Sequence, residues 1–213
     1  MLGILGGTFD PVHFGHLRPA LEIRQALALE ELRLVPCHIP PHRPQPVASP
    51  LQRVAMIEAA IRDIPGFSVD RRELERDGPS WTFDTLISLR NELGAGSLCL
   101  LIGMDAFHGL PAWHRWHELI DLCHMVIMTR PGSEFHPGGE LDDFVGLHRV
   151  MDPAELEQHA AGHVLFQDVT QLEISATRIR TLLAQGKRAD FLVPEAVLEI
   201  IRHEGLYQAG SDE

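Results

Sequence analysis

The chain has 213 residues with 30 acidic and 18 basic side chains, a formal net charge of −12. That balance argues against a nucleic-acid partner, because counterion release from a phosphate backbone needs a basic face. At 45% hydrophobic and 23% charged residues the chain is too apolar for disorder, and a unit of this length buries about 70% of its unfolded surface.

No apolar run reaches the ~18 residues that span a bilayer. The opening MLGILGGTFDP lacks the basic and long apolar regions of a secretory signal, which leaves the cytoplasm as the expected compartment. Of the 18 bases, 17 are Arg, Lys187 being the single Lys. Cys37, Cys99 and Cys123 are odd in number and widely spaced. They suit neither a disulfide framework nor a zinc knuckle, and Cys99 and Cys123 sit in apolar runs that read as core.

Short apolar runs alternate with helical patterns, the signature of βαβ units. A strand over 2–5 is followed by a Gly-rich turn and a helix over about 15–28. A second strand covers 32–36. Residues 38–50 carry Pro40, Pro41, Pro44, Pro46 and Pro50 and must be irregular. Ser49-Pro50 opens a helix to about 62. A short strand at 67–70 and a helix over 81–93, stopped by Gly94, come next. Strands follow at 98–102 and 125–129, then the breaker Arg130-Pro131-Gly132 and a mobile loop over 133–140. The last strand is 164–169, with closing helices at 175–185 and 194–203. The expected fold is a Rossmann-like, doubly wound α/β domain, its mainly parallel sheet covered by helices on both faces. One domain spans 1–207, and 208–213 is a flexible tail.

Two segments carry chemistry. The first is Gly6-Gly7-Thr8-Phe9-Asp10-Pro11-Val12-His13-Phe14-Gly15-His16, after the first strand and opening the first helix. Adjacent glycines let backbone N–H groups approach an anion, and the helix start adds partial positive charge. His13 and His16, three apart, share a side of the helix, and Gly15 between them leaves room for a ligand. The second is Ile174-Ser175-Ala176-Thr177-Arg178-Ile179-Arg180. Here Ser175 or Thr177 can cap a helix whose free N–H groups and an Arg form another anion site. Read alone, it is equally an ordinary capped helix with exposed arginines.

Together these motifs resemble the nucleotidyltransferase superfamily with His-x-Gly-His near the start and Ile-Ser-x-Thr-x-x-Arg near the end. GGTFDPVHFGH, IPPHRPQP at 39–46, SWTFDTL at 80–86, LIGMDAFHGLPAWHRW at 101–116 and RPG at 130–132 look like bacterial nicotinate-mononucleotide adenylyltransferase. The resemblance runs from residue 3 to about 207. It implies adenylyl transfer from ATP, with Mg²⁺, to nicotinate mononucleotide, giving nicotinate adenine dinucleotide and pyrophosphate. It implies that His13, His16 and Arg180 are catalytic. Gly6, Gly7, Thr8, Phe9, His16, Gly103, Asp105, Ile174, Ser175 and Arg180 would bind ATP. Thr82, Phe83, Trp113 and His114 would hold the pyridine carboxylate, while His42, Arg43 and Arg130 would meet phosphates.

The chain departs from the family pattern at Cys37-His38, where relatives often carry Asn, and at His114, often Tyr. The alternatives are a phosphopantetheine adenylyltransferase-like enzyme, disfavoured by His13 and by chain length, and a nucleotide-binding protein without turnover. Adenylyl transfer to an already anionic phosphate needs no protein nucleophile, and none with an adjacent base is visible. The pairs His114/His117 and His159/His163 have metal-ligand spacing but no third partner, so no protein-bound metal is expected. The acidic run 140–143 reads as a solvated face, and Trp81, Trp113 and Trp116 are each compatible with the core. Oligomeric state cannot be read from the sequence.

Overall fold

The computed structural model describes residues 1–40, 44–132 and 138–208. Seven strands form one sheet: β1 (Leu2–Gly7), β2 (Glu31–Pro36), β3 (Phe67–Val69), β4 (Leu98–Gly103), β5 (His124–Thr129), β6 (Arg149–Val150) and β7 (Val164–Asp168). Their spatial order is β3-β2-β1-β4-β5-β7-β6, and all six pairings are parallel. The helices are α1 (Phe14–Ala26), α2 (Pro50–Ile61), α3 (Thr82–Leu93), α4 (Met104–His108), α5 (Gly139–His148), α6 (Ala154–Gln158), α7 (Ala176–Ala184) and α8 (Glu195–His203).

The strands read as unbroken apolar runs because both faces of the sheet are covered. Period-2 alternation then sorts each strand between two cores. Cys99 and Leu101 of β4, Val126 and Met128 of β5, and Leu165 of β7 face one side. There they meet Ala20 and Ile23 of α1, Met56 and Ile57 of α2, Ile179 of α7 and Val197 and Ile201 of α8. Leu98, Leu100 and Ile102, Met125 and Ile127, and Val164 face the other, against Leu86 and Leu89 of α3, Phe107 of α4 and Phe144 of α5. This is the Rossmann-like, doubly wound arrangement with helices on both faces, its sheet wholly rather than mainly parallel. Cys99 and Cys123 are fully buried, and burial pushes the Cys99 thiol up to about 12.

Two stretches differ from expectation. Residues 104–121, read only for motifs, hold α4 and two 3₁₀ turns, Leu110–Ala112 and Trp116–Asp121. The interval between β5 and β7 holds α5, β6 and α6. In α5 the acids Glu140, Asp142 and Asp143 are exposed as a solvated face would be, while Leu141 between them is buried. The loop expected over 133–140 falls largely on 133–137, outside the described residues, as does the tail beyond 208. Among the described residues no helix is long and apolar enough to cross a membrane.

In strand order the chain winds from β1 through β2 to β3 on one side, and from β4 outward on the other. Between the carboxyl ends of β1 and β4 the direction reverses, and there an open α/β sheet forms its crevice.

Candidate active site

The turn leaving β1 and the start of α1 occupy that crevice. Gly6 is exposed, whereas Phe9, in the left-handed region at φ 50°, is 1% exposed. The Phe9 ring folds back over the turn, and a Cβ on Gly7 would lie 2.9 Å from it. Glycine there is thus what lets Phe9 close against the backbone.

His13 is the N-cap residue of α1, with extended backbone. Its N–H donates to Nδ1 of His16, one turn on, at 3.4 Å, and the two rings stack 3.7 Å apart. His16 also meets the Phe9 ring edge-on at 5.1 Å. A Cβ on Gly15 would sit 2.9 Å from His13 Nδ1 and 3.1 Å from the carbonyl oxygen of Ile174. Glycine is therefore required where the two sequence motifs touch. His13 is 4% exposed, and its Nδ1 is buried with no hydrogen-bond partner among the described residues. Burial pulls its pKa from 6.5 down to about 4, so the imidazole is neutral at physiological pH.

The second motif arrives from the far end of the chain. Ser175 caps α7, its hydroxyl accepting from the Arg178 N–H at 3.2 Å. Arg180, one turn in, donates Nη1 to the Asp10 carbonyl at 2.7 Å and Nη2 to the Thr177 hydroxyl at 3.4 Å. Thr177 thus orients the arginine while Ser175 serves as the cap. Asp10 is the residue that joins the parts. Its buried carboxylate accepts from the Val47 and Ala48 N–H groups at 2.8 and 3.0 Å and from the Tyr207 hydroxyl at 2.6 Å. Arg180 Nη1 lies 3.7 Å from the same carboxylate. Facing Asp10, the buried Tyr207 hydroxyl has its pKa pushed well above 10.

Gly103 ends β4 beside the crevice and caps α4, with Asp105 exposed in that helix's first turn. At the start of α3, Thr82 is the first helical residue and Trp81 the N-cap, whose own side chain makes no capping bond. The first N–H groups of such an end need partners. The ring of Trp81 lies 5.0 Å from that of His114. Phe83 is buried, its ring facing His114 at 6.2 Å and covered by the Arg115 guanidinium at 3.7 Å. Trp113 is half-buried against the apolar core, its backbone N–H donating to the Leu110 carbonyl at 2.9 Å. The residues proposed for a pyridine pocket therefore gather at one place, with Trp81 as an additional wall.

Arg130 leaves β5 and reaches the segment before α7, donating to Gln171 Oε1 at 2.9 Å and lying 3.4 Å from Glu173. His42 and Arg43 fall outside the described residues. Cys37 has its Sγ 3.8 Å from the Thr8 hydroxyl. Burial raises its pKa, so it is a neutral thiol rather than a nucleophile. Among the described residues no group of three or more His, Cys, Asp or Glu is placed to hold a metal ion. His117 pairs with Glu140 at 3.0 Å, and His159 and His163 face each other at 3.4 Å.

Sequence reading missed Arg53, Asp10 and Glu73. Glu73 is 7% exposed and accepts from the Thr85 hydroxyl at 2.6 Å beneath the start of α3, and burial raises its pKa. Arg53 and Asp10 are lone charged residues among apolar neighbours and Glu73 is one acid within the charged run 70–77, and only their partners give them meaning.

Residues 4–182 match the cytidylyltransferase-like family model. Among curated proteins, one named probable nicotinate-nucleotide adenylyltransferase from Methylococcus capsulatus is 51% identical, the match covering 97% of this chain and 99% of that protein. Its namesake from Pseudomonas fluorescens is also 51% identical, over 98% of this chain and 97% of its own. Among solved structures, nicotinic acid mononucleotide adenylyltransferase of Plasmodium falciparum complexed with NaAD superposes with a TM-score of 0.72 at 16% identity, covering 97% of this chain and 96% of that one. The same protein complexed with APC gives 0.70. At that identity the likeness speaks to the fold. The bacterial relatives share half of all positions over nearly the whole length, and so the chain belongs to the cytidylyltransferase-like family and, within it, to the nicotinate-nucleotide adenylyltransferases.

Proposed function

We infer that this protein transfers the adenylyl group of ATP to nicotinate mononucleotide, releasing pyrophosphate and forming nicotinate adenine dinucleotide, a step of NAD biosynthesis. Its relatives carry that name over nearly full length. The observation that carries the reading is the meeting of two remote motifs in one crevice. His13 and His16 stack at the start of α1, while Arg180 is tied to the Asp10 carbonyl of the turn that leads there.

In the proposed mechanism a phosphate oxygen of the mononucleotide attacks the α-phosphorus of ATP. The bond from that phosphorus to the bridging oxygen breaks, and pyrophosphate leaves with the electron pair. No protein atom enters the bond changes, so catalysis consists of positioning and charge stabilisation. His16 donates to the oxygens of the α-phosphate as charge builds there. His13, kept neutral by burial, presents a fixed imidazole to the same phosphates. The backbone from Gly6 to Phe9 lines the nucleotide, Gly103 and Asp105 hold ribose, and Ile174 and Ser175 hold adenine. The Arg180 fork, and Arg130 from the end of β5, meet the leaving pyrophosphate and substrate phosphates. Thr82, Phe83, Trp113 and His114 receive the pyridine carboxylate at the open start of α3, where a helix N-terminus favours an anion.

Among the described residues Asp105 is an exposed carboxylate at the end of β4, Glu173 is paired with Arg130, and Asp10 is committed to its four partners. That donor set suits Mg²⁺ arriving on ATP and held mainly by phosphate oxygens and water, where it neutralises polyphosphate charge. ATP as substrate fits the cytoplasm as the compartment. The test is to incubate the protein with ATP, Mg²⁺ and each candidate acceptor and to measure pyrophosphate. Release with nicotinate mononucleotide, and not with phosphopantetheine, is the expected result. Release with phosphopantetheine alone, or with neither acceptor, would reject it.

A further inference from the structure

Among the described residues Arg53 of α2 is the largest side chain with no solvent exposure. Its Nη1 donates to the carbonyl of Thr8 at 2.8 Å and its Nη2 to the carbonyl of Cys37 at 2.7 Å, while Nε is buried with no partner. Both acceptors are neutral. Among the described residues no carboxylate pairs with this guanidinium; the nearby carboxylate, Asp10, is engaged by Val47, Ala48, Tyr207 and Arg180. A full charge buried against two carbonyls is costly unless an anion offsets it. The carbonyls it holds identify where that anion lies. Thr8 belongs to the turn leaving β1, and Cys37 follows directly on β2, so Arg53 stands immediately behind the phosphate-facing turn.

We propose that Arg53 is a positioning residue for the reaction, a buried countercharge for the ATP polyphosphate that also sets the direction of the backbone N–H groups facing it. This rests on ATP being the nucleotide ligand.

Two physical effects act together. Arg53 adds one positive charge behind the crevice, in surroundings where water screens it poorly. It also fixes two peptide planes. In a trans peptide the N–H points opposite to the carbonyl. At Cys37 the consequence is visible: its carbonyl turns to Arg53, and the next N–H, of His38, points away and donates to the Ser80 hydroxyl at 2.8 Å, beside the start of α3. At Thr8 the same arrangement turns the Phe9 N–H away from Arg53, toward the open side of the turn. One side chain thereby aligns the nucleotide-binding turn and the edge of the pyridine pocket.

The test compares wild type, Arg53→Met and Arg53→Lys, with folding followed by circular dichroism and thermal unfolding. Affinity is read by calorimetry with a methylene-bridged ATP analogue, and KM for each substrate and kcat by pyrophosphate release. Arg53→Met is expected to weaken analogue binding and raise KM for ATP by about tenfold or more, with KM for the mononucleotide within about threefold of wild type. Arg53→Lys keeps the charge but cannot fork to both carbonyls. It is expected to bind the analogue within about threefold of wild type while kcat stays about fivefold or more below it. If Arg53→Met binds the analogue as wild type does, the inference is overturned. If Arg53→Met does not fold, the lysine variant decides, since a tenfold loss of affinity with the charge retained overturns it equally. If the wild type itself fails to bind the analogue, the functional reading fails first, a result distinguishable from either of these.

Discussion

Buried histidines stand at both ends of the sheet, and they are treated differently. At the amino end, His124 opens β5 fully buried, its Nε2 2.9 Å from the His159 carbonyl and its Nδ1 accepting from the His163 N–H at 3.2 Å. Both ring nitrogens are satisfied within the fold. At the carboxyl end, His13 is almost as deeply buried, yet its Nδ1 has no partner. An unsatisfied buried polar atom is expensive and is tolerated where a ligand completes it. The same residue type is thus a structural link at one end and, on the proposed function, a binding group at the other. What separates them is whether the fold supplies both partners.

The sharpest way to break this comparison is to truncate one histidine at each end. His16→Ala, beside His13, should lower kcat by ~100-fold or more, as loss of a preorganised charge-stabilising donor does, with the melting temperature little changed. His124→Ala should do the reverse, destabilising the fold by about 1–3 kcal/mol for two orphaned backbone groups while turnover per folded molecule stays near wild type. Similar losses of turnover from both would erase the distinction.

The carboxyl end can be tested further through its second helix start, that of α3. Thr82 and Phe83 lie in its first turn, and no acid of the Trp81–Phe83 or Trp113–His114 stretches could accept from an amide NH₂. A carboxylate satisfies two N–H donors where a carboxamide leaves one facing another donor. Nicotinate mononucleotide should accordingly exceed its amide by ~100-fold in kcat/KM at saturating ATP and Mg²⁺. Equal values would remove the pocket assignment and leave adenylyl transfer standing.

Acid should expose the burial of His13 in stability. The folded pKa of His13 is about 4 against an ordinary 6.5. The unfolded chain therefore binds a proton more readily than the folded one, and stability rises with pH between those values and falls as pH drops through them. Integrated over the window, wild type should lose about 3 kcal/mol that His13→Gln does not. Denaturant melts of both proteins at pH 7 and pH 4 measure it, and parallel losses would mean that His13 is hydrated rather than buried.

The smallest expected effect is that of Arg180→Lys. The change keeps the charge but loses the fork that reaches the Asp10 carbonyl and the Thr177 hydroxyl together. About a tenfold fall in kcat/KM for ATP should follow, and a lysine variant matching wild type would put Arg180 outside the machinery.

Much of this architecture is legible in the sequence where local signals are strong. The runs 98–102 and 125–129 announce buried parallel strands because both faces are covered. Two Gly- and His-bearing or Ser- and Arg-bearing turns announce helix starts because those residues have few other uses there. The segment 104–121 was opaque because a five-residue helix and two 3₁₀ turns never complete an apolar period. Arg53 was hidden for a different reason. In PLQRVAMIEAAI it is one polar position in an amphipathic helix, and its burial depends on carbonyls 16 and 45 residues away. Likewise Trp81 became a wall of the pocket only once His114 was placed against it.

The bond from Tyr207 to Asp10 spans 197 residues, and that from Arg180 to the Asp10 carbonyl 170. A ribosome makes Asp10 197 residues before Tyr207, and domains fold as their chains emerge. The sheet has all seven strands by residue 168, so a nascent chain can acquire its framework well before the segment that completes the crevice exists. Assembly of that crevice is in this way deferred until residues 175–207 have been made. A nascent chain that stops short of them lacks Arg180, the second helix start and the tyrosine that secures the first turn. Arrival of that segment, rather than formation of the sheet, completes the crevice.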